Sequence, residues 1–381
     1  MKLFRRYVWG ETLIVCCTAT GLFVGVLLVA NAMRDVVEWI TKGRLTCREA
    51  FQLLSILAPS TISYALPLGI MAGVLIVIGR MSSQNEILAM KSIGMDLLEI
   101  TWPIFALAMI FTLFATYINL YYAPDSVSRY RQFFGDLVRK KPMRFITPKT
   151  FNDYFPGYTI YVDSLSDGDF SRMKLWRFDE KNSLNTYISA KSGRITFDEP
   201  SNMFLLKLND GNMEKFNTSN PETNVQKAPQ IIFFKNITIN LPTKEFLGVP
   251  VHISKKFHRM TLDELLTAKR DLNLRKDMIS YENIRHQKTL INAQISNNIA
   301  NAFGILAMTL LAIPLGIKVH RKDTALNIGI ALCLGIGYYF IMAMFSLFGE
   351  YPHLRPDVLV WLPNVTLMVL GVSLFHRASQ H

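Results

Sequence analysis

The sequence predicts an α-helical integral membrane protein with six transmembrane helices, three on each side of an inserted antiparallel β-jellyroll-like domain. Three observations predict it. Half of the 381 residues are hydrophobic, and the mean hydropathy is +0.22. Six windows hold no Asp, Glu, Lys or Arg: 12–33, 50–79, 100–124, 289–317, 324–349 and 358–375. The segment between the third and fourth windows is polar and reads as short strands. A hydrocarbon core ~30 Å thick needs roughly 20 helical residues to cross it, and each window meets or nearly meets that length.

The first window follows Lys2, Arg5 and Arg6, as a signal peptide would, but its apolar run is too long for one. Asn31-Ala32-Met33-Arg34 is not a small-residue cleavage site, so the window is expected to remain as a helix. Gly21-x-x-x-Gly25 in the first window and Gly69-x-x-x-Gly73 in the second are spaced for close helix approach. Pro59 and Pro67 are expected to kink the second helix. With the N-terminus inside, the inner segments hold nine Lys and Arg and the short outer loops five, which places both termini in the cytoplasm.

The insert contains four readable strands, Tyr158–Asp163, Met173–Phe178, Met203–Leu208 and Gln230–Lys235. They are rich in β-branched and aromatic residues and separated by turn signals. Residues 261–290 change to a helical pattern through Leu262, Leu265 and Leu266. The expected boundaries are therefore 1–123 for the first three helices, 124–260 for the β domain, 261–288 for a helical linker and 289–381 for the last three helices.

Several functions are excluded or disfavoured. No ionisable residue sits mid-window, where an ion-coupled transporter or an intramembrane aspartyl protease would need one. HExxH, GxSxG and GxxxxGK[ST] are all absent, so the chain is expected to be non-catalytic and to bind no ATP itself. Its four cysteines form no CxxC and no metal site is expected. From Pro124 to Lys288 the insert holds 27 Lys and Arg against 19 Asp and Glu. That balance reads as ordinary solubility or as contact with an anionic lipid or another acidic surface; nucleic acid is not expected outside the cytoplasm.

The loop between the second and third windows, 80–97, carries the most specific pattern. Ser82 or Ser83 is placed to cap a short helix, Ile87, Leu88, Met90 and Ile93 form its apolar face, and Gly94 ends it. Such a helix either rests on headgroups or couples to a cytoplasmic partner, with Glu86 meeting a base. The short basic loop Lys318–Asp323 could serve the same end.

Here the chain resembles the LptF/LptG (YjgP/YjgQ) permeases of the lipopolysaccharide-export ABC transporter. The likeness covers essentially the whole chain. It rests on Asn85-Glu86-Ile-x-x-Met90-x-x-x-Gly94, Ala312-Ile-Pro-Leu-Gly-Ile317, Gly337-Tyr-Tyr-Phe340 and Trp361-Leu-Pro-Asn364, with the three-plus-three layout. Lys42-Gly-Arg-Leu45 and Leu66-Pro-Leu-Gly69 look slightly more like LptF than LptG.

The resemblance implies an inner-membrane subunit that extracts lipopolysaccharide, pairs with a paralogous permease and delivers lipid to LptC/LptA-like periplasmic β-jellyroll proteins. An LptB-like ATPase dimer would bind the ATP, leaving no cofactor in this chain. Glu86, Ile87, Met90 and Gly94 would then dock the ATPase. Arg34, Lys42 and Arg44, at the outer end of the first helix, would meet lipid phosphates, guanidinium being suited to bidentate phosphate contact. The bland alternative for Arg34 is snorkelling to anchor its helix. The alternative for the whole chain is a membrane-anchored periplasmic sensor or adaptor, against which the three-plus-three symmetry and minimal inner loops count.

Overall fold

The computed structural model describes residues 2–155, 157–166, 169–179, 183–201, 203–216, 230–241, 257–274, 281–318, 324–348 and 355–380. For residues 2, 31–35, 154, 166, 281–282 and 324–325 only the backbone is described. Among the described residues, six helical segments are long and apolar enough to cross a membrane: Leu3–Ala30, Cys47–Ser83, Leu97–Lys140, Asn283–Lys318, Leu326–Leu347 and Pro356–Gln380. Three precede the β insert and three follow it. The helices that form them are α1 (Lys2–Thr41), α2 (Cys47–Ser83), α4 (Leu97–Tyr117), α5 (Ala123–Lys140), α7 (Tyr281–Lys318), α8 (Thr324–Leu347), α9 (Pro356–Leu359) and α10 (Leu362–Gln380). Two shorter helices are α3 (Glu86–Ser92) and α6 (Leu262–Leu274).

The chain divides into two compact units. The first comprises Met1–Arg34, Leu54–Ser128 and Lys255–His381, the second Asp35–Leu53 and Arg129–Ser254. In the first unit, Leu66, Ile70, Val74 and Ile78 of α2 and Ile305, Met308 and Ala312 of α7 are buried in one core. α1 lies against α2 through Gly69 and Gly73. A Cβ on Gly69 would fall 2.4 Å from the Thr20 Cα, and one on Gly73 would fall 2.7 Å from the Cys16 Cα. Any side chain there would force the helices apart. The Gly21–Gly25 pair differs from expectation: both glycines face open space within the chain, because α1 turns its Cys16 and Thr20 face to α2 instead.

Both prolines of α2 lie inside one unbroken helix. Near Pro59, the hydroxyls of Ser60 and Thr61 donate to the Leu57 carbonyl at 2.8 and 3.3 Å. Thr46 starts the helix with a capping box: its amide donates to Glu49 Oε2 at 2.9 Å, and the Glu49 amide points back to Thr46 Oγ1 at 3.4 Å.

The expected break at residue 124 is not a break. A π-helical turn, Ile118–Tyr122, joins α4 directly to α5, so the helix runs on through Pro124 to Lys140. The wide turn takes up the backbone bond that proline cannot supply. α5 then buries Phe134 and Val138 in the core of the second unit, where Trp39 stacks on Phe134 with ring centroids 4.6 Å apart. The last turns of α1 and the first turns of α2 thus fold with the insert. At the other boundary, α6 lies within the expected linker 261–288, and α7 begins at Tyr281, ahead of the apolar window.

The insert contains one six-stranded antiparallel sheet: β1 (Phe151–Phe155), β2 (Tyr158–Ser166), β3 (Asp169–Phe178), β4 (Leu184–Asp198), β5 (Met203–Lys215) and β6 (Gln230–Leu241). Neighbours in sequence are neighbours in the sheet, with Tyr161 opposite Lys174, Leu175 opposite Ile188, Ile195 opposite Leu206 and Leu208 opposite Ile237. Alternate residues point into the core: Ile160 and Val162, Met173 and Leu175, Ile188 and Ala190, then Phe204, Leu206 and Leu208. The four expected strands fall in β2, β3, β5 and β6; β1 and β4 are additional.

Candidate functional site

The loop 80–97 folds as a short helix rooted in the bundle. Neither serine caps it. Ser82 is still within α2 and donates to the Ile317 carbonyl of α7 at 2.9 Å, while Ser83 donates to the Arg80 carbonyl. The chain turns instead at Asn85, which adopts a left-handed conformation (φ 59°) that asparagine tolerates better than most residues. The predicted stop is as expected. Gly94 has φ 87°, its amide donates to the Lys91 carbonyl at 3.0 Å, and the Met95 amide donates to the Met90 carbonyl at 3.1 Å. This is a Schellman termination, which needs the left-handed residue that glycine supplies without strain.

The apolar residues of α3 divide between two faces. Ile87 is 4 % exposed and Met90 half-buried, and both pack into the bundle core. Leu88 and Ile93 are 63 % and 75 % exposed. Glu86, the first helical residue, is half-buried. Lys91 Nζ donates to the Ala378 carbonyl of α10 at 2.8 Å. Through the Ser82 and Lys91 bonds, the α2–α3 corner is fastened to α7 and α10. α3 itself bonds α10, and the end of α2 that leads into it bonds α7.

An ion pair lies at the same end of α2. Arg80 Nη1 contacts Glu11 Oε1 of α1, and Arg80 Nη2 donates to the Tyr7 hydroxyl at 3.0 Å. The Glu11 side chain is 14 % exposed and that of Arg80 40 %. The windows of the sequence stopped at both residues, yet their pairing links α1 to α2 and escaped notice, since nothing local joins positions so far apart.

Further along the first unit, a cavity of about 610 Å³ is lined by Ser63, Asn119, Gln294, Asn298 and Asn301 among others. Ser63 Oγ donates to Asn119 Oδ1 at 2.5 Å, and Asn119 Nδ2 donates to the Asn298 carbonyl at 3.1 Å. Its lining holds one titratable imidazole, His258, and no carboxylate. The cavity offers hydrogen bonds to neutral groups and no carboxylate relay.

The basic residues at the far end of α1 are dispersed. The Arg34 side chain lies outside the described residues. Lys42 is exposed and paired with Glu38. Arg44 is 3 % exposed and donates to Thr147 Oγ1, so it braces the turn from inside rather than joining Lys42 at a surface. In the basic loop, Lys318 is exposed at the end of α7, and residues 319–323 lie outside the described residues.

Six membrane-capable helices, an inserted antiparallel sheet and a short helix stapled across the loop between the second and third of them fit a multi-pass membrane protein. The sequence matches the family described as lipopolysaccharide export system permease LptF/LptG over residues 6–377, and the chain belongs to that family. It is similar to the LptF of Escherichia coli K12, 20% identical over 335 residues, which cover 87% of this chain and 83% of that protein. It is also similar to an uncharacterised Rickettsia prowazekii protein, 20% identical over 278 residues, or 72% of this chain and 74% of its length.

Proposed function

We propose that this chain is the transmembrane half of an inner-membrane ABC transporter that extracts lipopolysaccharide and passes it to a periplasmic bridge. Both termini and α3 face the cytoplasm, and the sheet faces the periplasm. The observation that carries the reading is α3: a helix held by a Schellman turn, anchored inward by Ile87 and Met90, with Leu88 and Ile93 left exposed. Glu86, Met90 and Gly94 form and orient the surface that meets a cytoplasmic ATPase dimer, and Ile87 seats it. ATP is bound by that partner, and the energy enters this chain as movement of α3.

Family membership supports pairing with a paralogous permease, which completes the lipid path. Arg34 and Lys42 are assigned to lipid phosphates at the periplasmic end of α1, and Arg44 to holding the turn behind them. β6 supports delivery to an LptC/LptA-like β protein. Among the described residues it pairs with β5 alone, and Ile231, Ile232 and Phe233 on it are 54 %, 51 % and 82 % exposed. An apolar edge strand of this kind accepts a further strand.

Affinity purification of the tagged chain from its native membrane tests the reading against a sensor or adaptor. A soluble ATPase should co-purify, and Leu88→Asp should reduce its recovery roughly tenfold by placing a charge in the apolar contact. Recovery of no ATPase with the wild-type chain would favour the sensor.

A further inference from the structure

Beside α3, a groove of about 560 Å³ opens between the ends of α3, α7 and α10. Its floor is apolar: Ile87, Leu315, Ile317 and Leu374. Its rim is basic: Lys91, Lys318 and Arg377, with no carboxylate among the lining residues. Each of the three bases belongs to the last turn of its own helix. Cations there offset the partial negative charge of helix C-termini, which amounts to about −0.5 per helix. The ends of α3 and α10 supply at most about −1.0 against the full charges of Lys91 and Arg377, so these two bases alone leave the rim a surplus. Lys91 spends one of its three N–H groups on the Ala378 carbonyl, leaving two directed elsewhere.

The groove also lies at a particular depth. The spans Asn283–Lys318 and Pro356–Gln380 both end at it, so its floor meets acyl chains and its rim meets headgroups. A neutral phospholipid would satisfy the floor alone. A net negative headgroup satisfies both, each nearby Lys or Arg contributing about 1 kcal/mol of attraction, or roughly fivefold in affinity.

We infer that this groove is a binding site for one anionic phospholipid, its phosphate on Lys91, Lys318 and Arg377 and an acyl chain along Leu315 and Leu374. The lipid fills the flank of α3 and ties its position to the surrounding leaflet. The inference requires only that the chain spans a membrane, and it stands apart from the transport reading.

The test is native mass spectrometry of the full-length protein titrated with phosphatidylglycerol, phosphatidylethanolamine or inorganic phosphate. One saturable phosphatidylglycerol site is expected, with phosphatidylethanolamine weaker by tenfold or more and inorganic phosphate failing to displace the lipid. Arg377→Gln should weaken it roughly fivefold and Lys91→Gln/Arg377→Gln roughly twentyfold. Lys91→Arg should keep it, and Lys174→Gln/Lys191→Gln, which removes two charges from exposed sheet positions, should leave it unchanged. Because Lys91 also holds α10, Arg377→Gln is the decisive variant if the double variant fails to fold. Equal binding of the two lipids, or an Arg377→Gln protein with wild-type affinity, would mean that the bases merely cap helices. Displacement by inorganic phosphate would reduce the site to a phosphate site. Loss of ATPase association with lipid occupancy unchanged would assign the groove to the partner protein. Any of these outcomes overturns the inference.

Discussion

Glu86→Lys is expected to abolish lipid export and the stimulation of the partner ATPase, while membrane insertion and the fold of the chain stay intact. Glu86 opens α3, and its side chain is half-buried rather than free in solvent. The helix around it is anchored by Ile87 and Met90 in the bundle core and closed by Gly94, so a substitution at the first turn leaves its seating in place. What changes is the sign of the charge presented to the partner and to the nearby Arg80. Like charges brought together at an interface cost several kcal/mol, which corresponds to a loss of association of about a hundredfold or more. Glu86→Gln, which removes attraction without adding repulsion, should lose roughly tenfold. ATP turnover and pull-down of the complex read both values. Export at the normal rate by the lysine variant would remove Glu86 from the interface.

The second large effect is expected at the pair between α1 and α2. Arg80→Glu leaves two carboxylates facing each other beside Tyr7, where Glu11 is largely shielded from water. Breaking a fully buried pair costs about 3–5 kcal/mol; the partial exposure of Arg80 reduces this to about 1–3 kcal/mol. A drop of several degrees in the thermal unfolding midpoint in detergent is therefore expected. The exchange Glu11→Arg/Arg80→Glu should recover at least half of the loss, since it restores opposite charges between the same helices. Such recovery is the mark of a direct pair. A double variant no more stable than Arg80→Glu would show that each residue acts through separate contacts.

The sequence exposed the features whose signal is local. Charge-free windows marked all six spans, because a spanning helix must be apolar along its length. Gly94 was legible because a left-handed helix end demands glycine, and Gly69-x-x-x-Gly73 because close backbone approach demands small residues. β4 was not. Its inward residues run Thr186, Ile188 and Ala190, then Gly193 and Ile195, so the alternation slips phase midway and Lys191 and Arg194 interrupt the apolar pattern. The end of the third helix was hidden by Pro124, whose usual breaking effect the preceding π turn absorbs. Thr46-Cys-Arg-Glu49 carried a readable capping signature that marks the true start of α2.

Within the site, the apolar periodicity of α3 was legible but its division was not. Four apolar residues in and just after so short a helix cannot reveal which pair faces the bundle, and only packing into the bundle core turns Ile87 and Met90 inward. The charges were harder still. Arg44 reads as a surface cation beside Lys42, yet one turn of backbone carries it inside to Thr147. Glu11 and Arg80 read as the edges of two windows, and their meeting is a property of how α1 crosses α2.

Reconstitution of the chain with a paralogous permease and a cytoplasmic ATPase in liposomes containing lipopolysaccharide tests the transport role most directly. The quantity to measure is lipopolysaccharide captured by a soluble β-jellyroll acceptor outside the liposomes. Capture should require ATP, stop with Glu86→Lys and leave phospholipid behind. Lipopolysaccharide that stays in the liposomes while ATP is hydrolysed by an assembled complex would contradict it.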